Sequence, residues 1–273
     1  MSFAIRGATV RFGDVVALED VSVTMPGGSV VAVVGGDGAG KSTLLRALVR
    51  EVALDAGTVE TPPKDRQGYM PAVSGTWASL TVKENLDFAG GVYGLQGAEL
   101  IGRRTALLER ADLTDASDRL ASQLSGGMRR KLAFCMAMLH SPALLVLDEP
   151  STGVDPVSRV ELWRLIAEAA AGGAAVIVST TYLDEAERAA HLVALDEGRV
   201  LVEGSYDDIR LDFRGVVTES DEPSRPAWSW RRGRSRRELW LDADPPAGCA
   251  IVEPDLEDIV IALSLGRRAA ALA

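Results

Sequence analysis

Apolar and polar residues alternate from Phe3 to Phe12, and a second run of the same kind covers Val21–Met25. After the turn Pro26-Gly27-Gly28, the segment Ser29–Val34 is apolar at nearly every position. Alternation predicts half-solvated strands and the continuous run a strand covered on both faces, so the N-terminal region reads as a mixed sheet with a buried central strand. Residues 41–50, KSTLLRALVR, carry apolar positions at helical spacing. Gly57–Glu60 and Gln67–Met70 are candidate short strands. Residues 81–140 read as helical, with a capping-box pattern at Thr81 and Glu84 and a further helix after Ser125.

From there strands and helices alternate. Ala143–Leu147 predicts a buried strand, Pro156–Gly172 a helix with proline in its first turn, Ala174–Ser179 a strand and Tyr182–Ala190 a helix. His191–Leu195 and Arg199–Glu203 flank the turn Asp196-Glu197-Gly198 as a hairpin. Such interleaving predicts a parallel-rich α/β sheet covered by helices, with the helical block as an insertion. Beyond residue 214 the chain turns polar and Pro-containing, which predicts a linker or exposed loop over 213–237. Glu238–Asp242, Cys249–Val252 and Leu256–Leu265 then suggest two strands and a helix. The expected division is a main domain over 1–212, with its helical subdomain at about 73–140, and a C-terminal appendage over 238–273.

Composition changes this picture in three ways. The 273 residues include 29 basic and 39 acidic side chains, for a net charge of −10, which argues against a general nucleic-acid binder. No apolar run approaches the roughly 18 residues needed to cross a bilayer, and the N-terminus shows no secretory pattern. Cys135 and Cys249 follow no metal or redox spacing, which suits a reducing compartment.

The strongest chemical signal is Gly35-Gly36-Asp37-Gly38-Ala39-Gly40-Lys41-Ser42-Thr43, which fits G-x-x-x-x-G-K-[ST] between a buried strand and a helix. Glycines there let backbone amides turn toward phosphate oxygens, and the positive end of the following helix adds to the attraction. Lys41 would reach the terminal phosphates of ATP, and Ser42 would hold Mg2+. About 100 residues later, LLVLDE ends an apolar strand in two carboxylates. Asp148 would face the magnesium, and Glu149 would sit where a base can polarise an attacking water.

Leu124-Ser125-Gly126-Gly127-Met128-Arg129-Arg130 resembles the signature motif of ABC-transporter ATPases, and Asp155 in STGVDP resembles their D-loop aspartate. The motif order covers roughly residues 3–212. The resemblance implies a P-loop NTPase core with a mixed sheet, an N-terminal antiparallel β subdomain, an inserted helical signature subdomain and a small C-terminal α+β appendage. It implies a head-to-tail dimer, in which each ATP is held by one subunit's P-loop and by the other's Ser125, Gly126, Gly127 and Met128. Phe12 lies where the family stacks an aromatic on adenine. Two positions depart from the pattern: Ala72 stands where the family usually has Gln, and Thr181 where it usually has His. Ala72 can do neither of that Gln's polar jobs, and the Thr181 hydroxyl can hydrogen-bond a γ-phosphate but cannot carry a positive charge, so the chain's own site is expected to turn over slowly while its signature serves a better-equipped partner ATPase. The rival is a homodimer hydrolysing with Glu149, helped by Thr181.

The resemblance also implies a polytopic membrane subunit docked near Pro71, Trp77 and residues 78–90, and a peripheral position on the cytoplasmic face of the membrane. The Met after the signature and the STTYLDEAE segment resemble exporters of drug, antibiotic or lipid type. Two alternatives stand beside the exporter ATPase. One is a hydrolysis-poor, ATP-gated half of a heterodimeric pair. The other is a soluble ABC protein acting on ribosomes or DNA, disfavoured by the single P-loop and the acidic charge. Finally, Arg231, Arg232, Arg234, Arg236 and Arg237, interleaved with Trp228, Trp230 and Trp240, read as a solvated basic loop, or as a contact for anionic lipid or an acidic partner.

Overall fold

The computed structural model describes residues 1–73, 75–241 and 244–272. In chain order the first half holds β1 (Ser2–Phe12), β2 (Val15–Pro26), β3 (Val30–Val34), α1 (Lys41–Leu48), β4 (Ala56–Glu60), β5 (Gln67–Met70), α2 (Val82–Val92), α3 (Gly97–Arg110) and α4 (Gly126–Met138). Then come β6 (Leu144–Asp148), α5 (Pro156–Ala171), β7 (Ala175–Thr180), α6 (Leu183–Ala186), β8 (His191–Asp196), β9 (Arg199–Gly204) and α7 (Tyr206–Asp212). The C-terminal part holds β10 (Val216–Ser220), β11 (Ser229–Arg232), β12 (Ser235–Trp240), β13 (Ala250–Val252) and α8 (Leu256–Leu272).

The central sheet runs β5-β6-β7-β3-β8-β9, parallel except for the last hairpin. Its strands β3, β6 and β7 are buried throughout. Val31, Val33, Val146 and Ile177 face one core with α1 and the β1–β2 hairpin, while Val34, Leu147 and Val178 face a second core with α4 and α5. This two-sided burial is why these strands read as continuous apolar runs rather than alternating ones. The antiparallel sheet β2-β1-β4 forms the expected N-terminal subdomain. Its alternation is partial because register shifts interrupt β1 on both sides.

Local signals set the helix ends. Thr81 and Glu84 make the reciprocal capping box at α2, Ser125 caps α4, and Asp155 caps α5 with proline at the first position. The turn between β8 and β9 places both Glu197 and Gly198 at positive φ, as a tight two-residue hairpin requires. That turn also supports the P-loop: Gly198 donates from its amide to the Ala39 carbonyl at 3.1 Å.

The expected linker over 213–237 is overturned. Val216–Ser220, Ser229–Arg232 and Ser235–Trp240 are strands of one antiparallel sheet, ordered β11-β12-β10-β13. The Arg/Trp segment is its β11–β12 hairpin, not a solvated loop. Trp230 and Trp240 are buried. Arg237 pairs with Asp258 and Glu219, Arg232 pairs with Asp255 and Glu257, and Arg236 donates to Ser229. Arg232 and Arg237 made the stretch look solvated because their carboxylate partners lie roughly 20 residues away, on β10 and at the start of α8. Only Arg231 and Arg234 of the five stay exposed. The C-terminal helix α8 packs on the main domain, since Leu256 and Ile259 join the core of the central sheet. The predicted strand over Glu238–Asp242 ends at Trp240, and Asp242 lies outside the described residues.

Candidate functional site

The loop after β3 lines a cavity of about 270 Å³ with Asp37, Gly38, Ala39, Gly40, Lys41, Ser42 and Thr43, together with Ala17 and Glu149. Glycine is required at Gly40, where φ is +104 and a Cβ would stand 2.7 Å from the Ala17 carbonyl oxygen. Gly36 faces open space. Asp37 is exposed at the loop's tip and adds negative charge to the rim. Lys41 is buried at 5% exposure. Its Nζ donates to the carbonyls of Gly35 at 2.8 Å and Gly36 at 3.1 Å, and lies 3.7 Å from Glu149 Oε1. The ammonium is thereby held at the cavity with a carboxylate as counter-charge.

Two carboxylates stand next to this loop, of which Glu149 lines the cavity. Asp148 ends β6 and is buried. Its Oδ1 accepts hydrogen bonds from Ser42 Oγ at 3.1 Å and Ser179 Oγ at 2.6 Å. Ser179 reaches it because β6 and β7 pair Asp148 directly with Ser179. Glu149 follows in the left-handed region at φ +46, an uncommon conformation for a non-glycine residue. Its amide donates to Ser179 Oγ at 2.9 Å, and its Oε2 accepts from Thr152 Oγ1 at 3.2 Å. Ser42 Oγ and Asp148 supply the hard oxygen donors that Mg2+ takes alongside phosphate oxygens, so the residues present fit that ion. Among the described residues no group of three or more His, Cys, Asp or Glu could hold a metal alone.

A second surface gathers the signature and the D-loop. Ser125 Oγ accepts from the Met128 amide at 3.2 Å, so its oxygen caps α4. Gly126 and Gly127 open that helix, and a Cβ on Gly127 would meet Ser158 Oγ at 2.4 Å. The glycine therefore lets the start of α4 lie against the start of α5. Asp155 accepts from the amides of Val157 and Ser158 at 3.1 and 3.0 Å. Hydrogen bonding from Ser158 holds its carboxyl below the usual carboxylate range. None of Ser125, Gly126, Gly127, Met128 or Asp155 lines the P-loop cavity, so within one chain the two halves of the motif set stay apart.

Phe12 is 52% exposed where β1 turns into β2, paired with Val15. It stands outside the lining of the P-loop cavity, which takes Ala17 from the same hairpin. Thr181 is exposed beyond β7 and lines a different cavity with Tyr182, Tyr206, Arg232 and Asp255. Ala72 is engaged through its main chain, where Arg130 Nη2 donates to its carbonyl at 2.7 Å. Burial lowers the pKa of the Arg130 guanidinium, while Glu149 and Asp148 push it back up.

Trp77 and Phe88 stand 45% and 47% exposed, their ring centroids 4.2 Å apart. They face a cavity of about 210 Å³ shared with Tyr69, Pro71 and Val92. The Trp77 backbone is pinned by the buried Asn85, which accepts from its amide at 2.8 Å and donates to its carbonyl at 3.1 Å. The anchor is the main chain, and the indole is left presented. Sequence reasoning missed Asn85, Ser179, Arg130 and Glu185. The polar residue in the apolar stripe of α2 and the serine ending the buried β7 were the visible traces of the first two.

The profile of the ABC transporter family matches residues 18–152. Over 225 residues the chain is 35% identical to the daunorubicin resistance ATP-binding protein DrrA3 of Streptomyces coeruleorubidus, covering 78% of this chain and 71% of that protein. Over 212 residues it is 34% identical to the Nod factor export ATP-binding protein I of Ralstonia nicotianae, covering 74% of this chain and 66% of that protein. Among solved structures, an ATP-binding subunit of an ABC transporter superposes with a TM-score of 0.71 at 30% identity, over 78% of this chain and 93% of that one. With these likenesses spanning the P-loop, the signature and the paired carboxylates, the chain belongs to the ABC transporter family of ATP-binding proteins.

Proposed function

We propose that this chain binds and hydrolyses ATP as the nucleotide-binding subunit of an exporter, driving a separate polytopic membrane subunit from the cytoplasmic face of the membrane. The observation that carries it is the convergence of Lys41, Ser42 and Glu149 on one cavity, with the buried Asp148 hydrogen-bonded to Ser42 behind it. The P-loop amides and Lys41 bind the phosphates, and Phe12 offers a stacking face for the base. Ser42 and Asp148 hold Mg2+, which supplies charge neutralisation on the phosphate oxygens when bound. Glu149, aimed by its left-handed backbone and by Thr152, polarises the attacking water. Relatives named for drug resistance and Nod factor export support the exporter reading. No helix among the described residues is long and apolar enough to cross a membrane; on this reading the membrane subunit supplies the spans. The exposed Trp77–Phe88 pair beside Pro71 is the docking groove, since aromatic anchors are enriched at interfaces.

Ser125–Met128 and Asp155 serve an ATP held by a second ATPase subunit, identical or not. The separation of this surface from the chain's own P-loop supports that role. Ala72 and Thr181 favour a second form of the reading, in which the chain's own site is hydrolysis-poor and its signature works for a partner. A positioned acid or base contributes roughly 10²–10⁴-fold. On that form, Ala72→Gln with Thr181→His raises the steady-state ATPase rate of the purified chain at least tenfold. Robust turnover unchanged by the pair sinks the impaired-site form. A chain that fails to bind ATP sinks both.

A further inference from the structure

Glu185 lies on α6, outside the P-loop cavity, and is 2% exposed. Three segments meet at its carboxylate. Ser151 Oγ donates to it at 2.7 Å from the turn that follows Glu149. Thr180 Oγ1 donates at 2.8 Å from the end of β7. Arg159 Nε donates at 2.9 Å from α5, and its guanidinium lies 4.0 Å over the Tyr182 ring. Ser151 and Thr180 are themselves buried, so all the hydroxyl contacts form away from water.

A buried carboxylate with three donors is costly to leave partly satisfied, so its partners move with it or the network breaks. One end of this network is β7, whose Ser179 bonds Asp148 and the Glu149 amide in the nucleotide site. The other is the turn 150–155, which ends at Asp155, the cap of α5. Glu185 touches neither the cavity nor Asp155, yet bonds the segments that carry both.

Building on the reading of the P-loop cavity as an ATP site, we propose that Glu185 is a positioning residue tying the turn 150–155 to the end of β7, so that nucleotide binding is felt at Asp155. Ser151 is the specific link to the turn, because removing its hydroxyl leaves the Thr180 and Arg159 contacts in place.

Amide hydrogen exchange of the full chain, with and without MgATP, tests this on Ser151→Ala and Glu185→Gln. ATP slows exchange at residues 35–43 in the unaltered chain and in both variants. At residues 151–155 the ATP-dependent slowing is about threefold to tenfold weaker in the variants, the loss expected for one or two hydrogen bonds. A merely structural role would speed exchange equally with and without ATP. Full ATP-dependent protection of 151–155 in Ser151→Ala overturns the proposal, even if Glu185→Gln does not fold. Absence of protection at 35–43 in the unaltered chain overturns the ATP-site reading and this inference with it, and the two failures are told apart by which segment fails to respond.

Discussion

Arg130, in the second turn of α4, donates through Nη2 to the main-chain carbonyl of Ala72 at 2.7 Å and through Nη1 to the Pro71 carbonyl at 3.5 Å. The signature helix is thus fastened to the segment leaving β5, at the position where the chain lacks glutamine. The fork geometry of the guanidinium suits two adjacent carbonyls, and an ammonium cannot span both. Arg130→Ala is therefore expected to lower the unfolding free energy by about 1–2 kcal/mol, with Arg130→Lys recovering less than half. Urea denaturation checks this. Ala72→Gln leaves the carbonyl in place and shifts stability by less than about 0.5 kcal/mol. Its effect on turnover can then be read without a folding correction.

Asp258 anchors the C-terminal unit. It is fully buried, pairs with Arg237, and accepts from Trp230 Nε1 at 3.1 Å and from the Asp255 amide at 3.2 Å. Removing one member of a buried pair leaves the other charge unpaired, at about 3–5 kcal/mol. Asp258→Ala should cost that much in denaturation followed by tryptophan fluorescence, because Trp228, Trp230 and Trp240 all sit in this unit. Asp258→Asn, which keeps an acceptor for the indole, should cost less. Equal stability of all three proteins would mean that Arg237 is satisfied by Glu219 alone.

The contrast between the two ends of the chain shows where the amino-acid sequence is readable. Val30–Val34 and Leu144–Leu147 revealed themselves because burial on both faces leaves no polar residue to confuse the pattern. Thr81, Ser125 and Pro156 marked helix starts because capping is local chemistry. The P-loop and the paired acids were legible for the same reason: each motif is contiguous. Residues 229–237 were misread because what buries them is not contiguous. Arg232 and Arg237 are neutralised by Glu219, Asp255, Glu257 and Asp258, and no local window contains those partners. Arg130 and Glu185 escaped notice likewise, since each acts on segments distant in sequence.

The two cysteines should differ sharply in reactivity. Cys135 is fully buried in α4, and burial pushes its thiol up to about 12, so almost no thiolate exists near neutral pH. Cys249 is half-exposed in the loop before β13. A maleimide titration of the native protein should label one thiol quickly, and peptide mapping should place it at Cys249. Labelling of Cys135 at a comparable rate would mean that α4 opens far more readily than its packing suggests.

His140 gives the fold a pH dependence of predictable sign. Its ring stacks on Tyr93 with centroids 3.5 Å apart, Nε2 lies 3.0 Å from the Gln67 carbonyl, and Nδ1 is buried without a partner. Burial disfavours the imidazolium and holds the group below its ordinary value of 6.5. Below about 6.5 the unfolded chain therefore takes up a proton that the folded chain resists. The stability linked to this histidine is fully present above that pH and declines as pH falls toward the lower folded value. His140→Phe keeps the stack on Tyr93, and Tyr93 Oη still donates to the Gln67 carbonyl at 3.4 Å. Urea midpoints measured from pH 7.5 down to 5.5 should fall less steeply in His140→Phe than in the unaltered chain. Parallel slopes would place the acid sensitivity elsewhere.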